Sequence, residues 1–417
     1  MPTDVVTVFL RHGTDVLLLE RSEDVGSYPG DWGAVAGHAE GEPDAKASAE
    51  IEEETGLGDA VTFVRRGDPF EVVDPDHGTW VVHPFLFDAD SRAVDTNWET
   101  ASYEWVPPTE ILWRDTVPDL WQSYDAVRPT VETVASDDEH GSAYVSLRAL
   151  DVLRDEAALA HVEDADWDAV AAVARALRDA KPGMAVVRNR VNRAMTDAEQ
   201  SPGGVETAAR EGARDAVDAD ERAAAAAVAE LREIDAAEVV TLSRSGTVAA
   251  ALRDAAVDRV FVAESRPGGE GVGVAASLAD AIDVTLTTDA NLPAVVAPAD
   301  AVLVGADAVF PDGSVVNKVG TRAAALAARD ADVPVFVACA ADKIAPEPLP
   351  VEPGDPSDLY DGDAPIEVLN PVFEVVPADL VVAVVTERGS LDAADVRVIA
   401  AEHRDWADWD ESRSGDE

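Results

Sequence analysis

The feature that most constrains this chain is a series of short, strongly apolar segments between residues 239 and 386. Each segment is rich in Val, Ala or Leu and is separated from the next by sequence with helical spacing. The segments are VVTLS (239–243), RVFVAES (259–265), VTLTT (284–288), AVLVGAD (301–307), VPVFVACA (333–340) and LVVAVVT (380–386). Apolar runs that alternate with helices are typical of a parallel sheet buried on both faces. We therefore predict an open α/β domain here.

Polar residues follow several of these predicted strands, at the edge where open α/β sheets bind ligands. Hydroxyl groups, backbone N–H groups and a helix N-terminus can together hold a phosphate. In the alternative interpretation, residues 243–247 only cap a helix, Arg266 pairs with surface acids and Asp307 closes a turn. The candidate ligand-binding residues are Ser243, Ser245, Gly246, Thr247, Arg266, Asp307, Asn317 and Lys318.

The sequence before residue 237 has two other textures. Strand-like runs with one early helix, predicted from Asp44 to Thr55 and ended by Gly56, indicate an α+β domain. From Ser142 to Ile234 nearly every residue has helical spacing. We expect a first domain over 1–130, a helical subdomain over 136–236, a Rossmann-like domain over 237–400 and a frayed acidic tail over 401–417.

Three glutamates lie on one face of the early helix. Glu50, Glu53 and Glu54 occupy positions i, i+3 and i+4, so their like charges are unfavourable without a counterion. Hard divalent cations prefer oxygen ligands and bridge carboxylates to substrate phosphates. Acidic residues make up 83 of 417 positions, so such a triplet also arises by chance and its surroundings must decide.

Short motifs surround these glutamates. In order they are YPGDW (28–32), AG (36–37), GE (41–42) and EETGL (53–57). This string resembles the signature of Nudix hydrolases, over about residues 4–115. The resemblance implies an α/β/α sandwich with a mixed sheet, in which Glu53 and Glu54 ligate Mg²⁺ or Mn²⁺. It also implies that Glu50 ligates the metal or orients and deprotonates water, and that Gly37 provides the tight loop.

The chain departs from that signature at three points. Ala49 stands where the family has an arginine, Ala36 replaces the first glycine of the usual pair, and the spacing from Gly37 to Glu50 is shorter than usual. Without the arginine, we expect the ion-pair partner that would hold a glutamate in position to be missing. The alternative to an active hydrolase is a Nudix domain kept for binding or packing.

Five further motifs occur in order along the C-terminal part. They are TLSRSGTV, ESRPGGEG, DANLP, VGADAVFPDGSVVNKVGT and NPVFEVVPADLVVAVVTERG. They resemble the family shared by the alpha, beta and delta regulatory subunits of translation initiation factor 2B and by aldose-phosphate isomerases, over about residues 140–400. The resemblance implies a helical subdomain that leads into a Rossmann-like sheet, assembly into a homo-oligomer through that sheet domain, and a pocket for a phosphorylated sugar or nucleotide.

The isomerases of this family act on methylthioribose 1-phosphate or ribose 1,5-bisphosphate with a cysteine and an aspartate. Asp307 occupies the position of the family's aspartate, whereas Ser243 occupies the position of its cysteine. A hydroxyl is a poorer proton donor than a thiol. His140 stands where an arginine is expected, and Cys339 lies in a predicted buried strand, where a thiol acts as apolar filler. The groups expected on the phosphate side are Arg266, Asn317 and Lys318. This pattern favours the regulatory branch.

Composition excludes several classes of protein. The chain has 83 acidic and 32 basic residues, a formal charge of −51, so nucleic-acid binding is not expected. A hydrophobic content of 47% excludes an acidic disordered chain, and few lysines among many acids resemble proteins of salt-accumulating archaea. One cysteine and no long apolar window predict a cytoplasmic protein without disulfides or a membrane span.

These observations leave three hypotheses open. The first is a Mg²⁺-dependent Nudix-type hydrolase of a nucleoside diphosphate derivative, fused to a regulatory domain that binds a phosphorylated metabolite. The second is an aldose 1-phosphate isomerase in which Ser243 replaces the cysteine. The third is a non-catalytic, translation-factor-like regulatory protein.

Overall fold

The computed structural model describes residues 2–39, 41–351 and 353–411. The chain forms two compact units, of which unit 1 comprises Met1–Thr130 with Arg154–Leu159 and unit 2 comprises Val131–Leu153 with Ala160–Glu417. Among the described residues, no helix combines the length and the apolar character needed to cross a lipid bilayer.

Unit 1 is built on an eight-stranded mixed sheet. Its central strand β1 pairs antiparallel with β2 and β4 and parallel with β7. The strands are β1 (Thr3–His12), β2 (Asp15–Arg21), β3 (Trp32–Gly33), β4 (Val35–His38), β5 (Val61–Arg66), β6 (Phe70–Asp74), β7 (Gly78–Ala89) and β8 (Thr100–Val106).

Two helices cover opposite faces of this sheet. Because side chains alternate along a strand, Val8 of β1 packs with Ile51 of helix α1 (Pro43–Thr55), whereas Phe9 packs with Tyr124 of helix α2 (Leu120–Asp125). This confirms the α/β/α sandwich. Helix α1 ends as predicted, since Gly56 takes a left-handed conformation with φ of 65°.

Unit 2 begins with helices, as the helical spacing predicts. Asp166 and Ser201 cap two of them by accepting hydrogen bonds from backbone N–H groups of the first turn. The helices are α3 (Val131–Ala135), α4 (Ser142–Val162, of which Arg154–Leu159 belongs to unit 1), α5 (Trp167–Ala180), α6 (Ala185–Asp197) and α7 (Pro202–Glu233).

A seven-stranded sheet follows, and the predicted parallel strands are confirmed. Its order is β11-β10-β9-β12-β15-β17-β18, with every pair parallel except the last. The strands are β9 (Glu238–Leu242), β10 (Arg259–Ala263), β11 (Asp283–Thr287), β12 (Ala301–Val304), β15 (Val335–Ala338), β17 (Ala383–Thr386) and β18 (Gly389–Leu391). The chain winds one way from β9 and the other way from β12, so a crevice opens beyond the carboxyl ends of these two strands.

The remaining elements of unit 2 flank this sheet in sequence. A small antiparallel sheet comprises β13 (Ala308–Val309), β14 (Val315–Lys318) and β16 (Phe373–Val376). The helices are α8 (Gly246–Asp254), α9 (Glu270–Leu278), α10 (Leu292–Val296), α11 (Thr321–Asp330), α12 (Ala393–Asp405) and α13 (Asp408–Glu411).

The prediction of a frayed tail over 401–417 is wrong for residues 401–411. These residues belong largely to α12 and α13, and Asp410 accepts hydrogen bonds from Arg175 at 2.8 Å and Arg178 at 2.7 Å. Helix α12 buries Val396, Ile399, Ala400 and His403, which form one helical stripe. The polar composition concealed this stripe. Residues 412–417 lie outside the described residues.

Candidate functional site

Helix α1 carries acidic side chains on its buried face. The buried residues follow the spacing i, i+3, i+4, i+7 and i+8, which is normally an apolar stripe. They are Ala47, Glu50, Ile51, Glu54 and Thr55. Glu53 lies on the exposed side of the helix. Two carboxylates are thus held against protein, where an unpaired charge is costly.

The Glu50 carboxylate fits into space left by a glycine. A Cβ atom added to Gly37 would lie 1.7 Å from Glu50 Oε1. Gly37 belongs to strand β4 and pairs with Val6 of β1. The expectation that Gly37 forms a tight loop is therefore wrong: the residue lies in a strand, and its missing side chain makes room for Glu50.

Lys46 supplies the cationic partner that was expected to be missing without the arginine. Its Nζ lies 2.7 Å from Glu50 Oε1, one helical turn away. Ala49, at the position of the expected arginine, is exposed. The prediction of a missing ion-pair partner is wrong for Glu50, because Lys46, four residues earlier in the helix, pairs with it.

Glu54 is held by the backbone rather than by a cation. Its Oε1 accepts a hydrogen bond from the Ala36 N–H at 3.1 Å. Burial raises the pKa of the Glu54 carboxyl to about 8, and the charges of Glu50 and Glu99 act in the same direction. Too little positive charge surrounds this carboxyl to keep its pKa at the ordinary value of a glutamate.

A cavity of about 480 Å³ opens beside the helix. Glu50, Glu53 and Gly37 line it, whereas Glu54 lies outside its lining. The cavity wall also includes aromatic and basic side chains, namely Tyr28, Trp80, Trp98, Arg21 and Lys46. Its size suits a ligand of nucleotide dimensions, and its wall offers faces for stacking as well as charge.

The donor set fits a hard divalent cation, which the resemblance implies. Within the described residues, no three His, Cys, Asp or Glu side chains form a ready-made metal cluster. Mg²⁺, however, is usually held by one or two carboxylates together with substrate phosphates. Glu50 and Glu53 both line one cavity, as this binding mode needs.

In unit 2, the loops after β9 and β12 meet at the crevice between these strands. A Cβ atom added to Gly305 would lie 2.8 Å from Ser245 Oγ, so the two loops are in close contact. Ser243 takes a left-handed conformation with φ of 66°, and its N–H donates to Ser265 Oγ at 2.6 Å. The predicted ligand-binding edge of the sheet thus brings together residues from separate strands.

Asp307 follows β12 at this edge. Its Oδ1 accepts a hydrogen bond from Ser142 Oγ at 3.2 Å. The side chain keeps some exposed area, yet the surrounding protein desolvates it and raises the pKa of its carboxyl, against the ammonium charges of Lys343 and Lys318. An aspartate with a raised pKa can hold a proton, which suits acid–base chemistry.

Lys318 is buried and paired. Its side chain is 2% exposed and its Nζ donates to Glu270 Oε1 at 2.8 Å. Glu270 also acts on Asp307 through its charge, so these groups belong to one electrostatic cluster. Oε2 of Glu270 is buried and accepts no hydrogen bond from the described residues.

The other predicted ligand residues make mostly structural contacts. Ser245 caps α8, where Gly246 and Thr247 form the first turn, by accepting from the Val248 N–H. Arg266 is 67% exposed and pairs with Glu264 at 3.2 Å, and Asn317 donates to Thr321 Oγ1 at 3.0 Å. Ser245 and Arg266 thus make the contacts of the alternative interpretation given above, namely a helix cap and a pair with a surface acid. His140 is exposed, its Nδ1 lies 3.0 Å from Asp137 Oδ1, and its ring stacks on that of Tyr144.

Cys339 is buried, as predicted. The thiol belongs to an apolar cluster of the sheet, and burial raises its pKa to about 12. It therefore stays protonated as a packing group.

The sequence interpretation missed four residues of these centres, namely Lys46, Ser142, Glu270 and Lys343. Lys46 carried a usable signal, because it lies four residues before Glu50 in a lysine-poor chain. Glu270 lies within the motif ESRPGGEG, but that motif does not show its pairing with Lys318; Ser142 and Lys343 are brought to Asp307 by the fold, and no local pattern marks them.

Comparison with known proteins gives two matches. The profile of the initiation factor 2 subunit family matches residues 138–393, which is more than half of the chain. The profile of the NUDIX domain matches residues 1–127.

Two relatives carry the C-terminal match. The chain is similar to ribose 1,5-bisphosphate isomerase of Haloferax volcanii, with 30% identity over 309 residues that cover 67% of this chain and 94% of that protein. It is also similar to methylthioribose-1-phosphate isomerase of Nostoc punctiforme, with 35% identity over 162 residues and 35% of this chain. In that case the chain spans about half of the relative, namely 46%.

A solved structure supports the same fold. The structure of translation initiation factor eIF-2B from Pyrococcus horikoshii OT3 aligns with a TM-score of 0.54 and 24% identity. The alignment covers 63% of this chain and 94% of that one, and at this identity it indicates the fold alone.

Proposed function

Because this chain belongs to the initiation factor 2 subunit family and carries a NUDIX domain, we propose that it handles phosphorylated small molecules at two separate centres. Unit 1 hydrolyses a nucleoside diphosphate derivative with a divalent cation. Unit 2 binds a phosphorylated sugar or nucleotide at the crevice beside Asp307, as a regulatory ligand.

One observation carries the hydrolase proposal. Glu50 and Glu53 of α1 open onto the 480 Å³ cavity that aromatic and basic side chains also line. Carboxylates, an ammonium group and aromatic faces in one cavity match the three parts of such a substrate. The carboxylates serve its metal-bound phosphates, Lys46 and Arg21 favour its negative charge, and Tyr28, Trp80 or Trp98 suit a base.

The chain's own residues have defined parts in this reaction. Glu53, with Glu50 beside it in the cavity lining, would hold Mg²⁺ or Mn²⁺, which when bound offsets phosphate charge and favours ionisation of a water molecule; Glu54, which the resemblance gave as a second ligand, is buried outside that lining. Glu50 orients the attacking water and accepts its proton, and Lys46 fixes the Glu50 carboxylate at 2.7 Å. The water oxygen forms a bond to one phosphorus, the P–O bond of the pyrophosphate link breaks, and the departing phosphate leaves with the electron pair.

A substrate panel tests this proposal. The full chain is incubated in molar KCl with Mg²⁺ and nucleoside diphosphate sugars, dinucleotides or nucleoside triphosphates, and phosphate-containing products are separated and quantified. We expect one class to be cleaved, and Glu53→Gln to lower kcat by about 10²–10³-fold, because a carboxylate in the reaction centre loses its charge.

The matched control is Glu52→Gln. Glu52 is the neighbouring exposed glutamate of α1, and its contact is with the Gly58 N–H, which a glutamine oxygen can also accept. Its turnover should stay within about twofold of the unchanged chain. Turnover that Glu53→Gln leaves unaltered contradicts the hydrolase proposal, as does an absence of cleavage across the panel.

A second candidate function is supported by the surroundings of Asp307. This aspartate has a raised pKa, an oriented carboxylate and a buried lysine nearby, at the crevice where Ser243 follows β9. We propose as the alternative that unit 2 isomerises an aldose 1-phosphate such as ribose 1,5-bisphosphate, with Asp307 transferring the proton and Ser243 in place of a thiol.

Ribose 1,5-bisphosphate distinguishes the two roles of unit 2. Formation of a ketose that Asp307→Asn abolishes supports the isomerase. Saturable binding of the same compound in calorimetry, without a ketose product, supports the regulatory role. If the compound is neither bound nor converted, both roles of unit 2 are contradicted.

We also propose that the chain assembles into a homo-oligomer through unit 2, because proteins of this family form oligomeric complexes. Light scattering of the full chain at molar KCl tests this, and a mass of 43.9 kDa at micromolar concentration would contradict it.

A further inference from the structure

Lys343 is a buried lysine that neither the sequence motifs nor the proposed reaction has used. It lies in the short turn Ala341–Lys343 after β15 and is 7% exposed. Its Nζ donates to the carbonyl oxygen of Ala306 at 2.6 Å. Ala306 immediately precedes Asp307, so the lysine holds the backbone from which the aspartate projects.

The residue before Lys343 anchors this turn in the helical part of unit 2. Asp342 is 2% exposed and accepts from Arg190 Nε at 2.9 Å and from Arg193 Nη1 at 3.1 Å. These guanidinium groups lower the pKa of Asp342 despite its burial, so it stays ionised. A carboxylate with two guanidinium partners has little freedom to move, and the turn is fixed with it.

Arg190 also contacts helix α4, which carries the serine that donates to the Asp307 carboxylate. Arg190 Nη1 donates to Ser146 Oγ at 2.8 Å. Ser146 lies one turn after Ser142 in α4, and Ser142 donates to the Asp307 carboxylate. Arg190 therefore connects both supports of Asp307, one through Ser146 and α4 and one through Asp342 and Lys343.

We propose that Lys343 is a positioning residue for Asp307, and that Arg190 holds Lys343 in place through Asp342. The proposal rests on the role assigned to Asp307 as the proton-transfer group of unit 2. Lys343 fixes the peptide before Asp307 while Ser142 fixes its carboxylate, so the aspartate is set in both position and direction. Its ammonium group also favours the ionised carboxylate.

The charges around Asp307 define what a test can measure. Lys343 and Lys318 favour its ionised form, Glu270 disfavours it, and Ser142 stabilises it by a hydrogen bond. Cys339, which lies in the same electrostatic environment, stays neutral because burial raises its pKa to about 12. Removal of the Lys343 charge alone must therefore raise the pH at which Asp307 ionises.

Difference infrared spectroscopy can follow this ionisation without any substrate. The carboxyl band of Asp307 is isolated by subtracting the spectrum of Asp307→Asn at each pH, and its midpoint is compared among variants of the full chain. We expect Lys343→Met to move the midpoint to higher pH and Lys343→Arg to leave it near that of the unchanged chain.

The matched control is Lys181→Met. Lys181 belongs to the same unit, but its ammonium group pairs with the exposed Asp138 rather than with Asp307, Lys318 or Glu270. It should not move the midpoint. If Lys343→Met does not fold, Lys343→Gln removes the same charge with a polar group in its place. A midpoint unchanged in the neutral variant that folds overturns the proposal.

Kinetics with ribose 1,5-bisphosphate provide the second readout. If unit 2 is an isomerase, Lys343→Met should lower kcat about tenfold and leave KM within about twofold, because a positioning group acts on Asp307 rather than on the ligand. A roughly tenfold rise in KM would instead contradict positioning and indicate that Lys343 contacts the ligand. A lack of turnover in the unchanged chain counts against the isomerase alone, and the infrared comparison then decides on Lys343.

Discussion

The two acidic centres of this chain balance their negative charge in different ways. In unit 1, Glu50 has one lysine partner, and Glu54 has a backbone amide and a pKa of about 8. In unit 2, Asp307 has a serine donor and two buried lysines in its surroundings. The chain has four lysines in all, and three of them, Lys46, Lys318 and Lys343, serve these centres.

This difference indicates which centre requires a partner from solution. A group of carboxylates short of positive charge is suited to gain it from a divalent cation and the phosphates that cation carries. A carboxylate already surrounded by fixed ammonium groups has no such need, and its chemistry can depend on protons alone. We therefore expect the two centres to differ most in their response to metal.

Metal removal should produce the largest effect. With EDTA in excess of Mg²⁺, hydrolysis by unit 1 should fall to background, by about 10³-fold or more, because the proposed reaction needs the cation at Glu53. Binding or conversion of ribose 1,5-bisphosphate by unit 2 should stay unchanged in the same sample. Product chromatography and calorimetry measure the two, and equal losses at both centres would show that the comparison is wrong.

Loss of a buried cation should produce the next largest effect, in unit 2. Arg190→Met leaves Asp342 with Arg193 as its remaining guanidinium partner and leaves Ser146 without its donor. Breaking a buried ion pair costs about 3–5 kcal/mol, and the retained Arg193 places the expected loss near the lower end. Urea unfolding at molar KCl measures it.

A surface pair in the same unit is the control for Arg190→Met. Arg388 pairs with the half-exposed Glu402, so Arg388→Met should cost only about 0–1 kcal/mol. Similar losses in the two variants would mean that the network around Asp342 is not the rigid support described above.

The sequence predicted what depends on local patterns and strand order. Helix α1 was predictable from its spacing and from Gly56, and the edge carrying Ser243 and Asp307 was predictable because parallel strands end on the same side. Both are short-range or topological features.

The partners of the site residues could not be predicted in the same way. Ser142 and Asp307 are 165 residues apart, and Lys318 and Glu270 are 48 apart. Such pairs depend on how distant elements pack, and no periodicity in a single sequence records them. The strand position of Gly37 was missed for a related reason, since a glycine that makes room for a distant carboxylate looks the same as a turn glycine.

A steric change in unit 1 should have a smaller effect than the loss of Arg190. In Gly37→Ala, the added methyl group would lie 1.7 Å from Glu50 Oε1, so the carboxylate must move away from the ion pair with Lys46. We expect a loss of about 1–3 kcal/mol in the free energy of unfolding and reduced hydrolysis. Gly26→Ala, in the same cavity wall with open space around its Cβ position, is the control. Equal stability of the two variants would place Glu50 elsewhere.

The smallest predicted effect concerns the sign of the pH dependence, which should differ between the two units. Glu54 has a folded pKa of about 8, above its ordinary value, so its contribution to stability is present at low pH and is lost as the pH rises toward 8. His403 of unit 2 has the opposite behaviour. Burial lowers the pKa of its imidazole, and Nδ1 donates to the carbonyl oxygen of Ile344 at 2.7 Å.

Since His403 is neutral in the folded chain, the unfolded chain takes up its proton first as the pH falls through about 6.5. The free energy of unfolding should therefore decrease below that pH, with a slope of at most about 1.4 kcal/mol per pH unit from this residue. His403→Gln keeps an amide donor for Ile344 and removes the titration, so its slope between pH 6.5 and 5.5 should be shallower. Parallel slopes for the two proteins would mean that His403 becomes protonated in the folded chain, and that the network around Asp342 accepts a further positive charge.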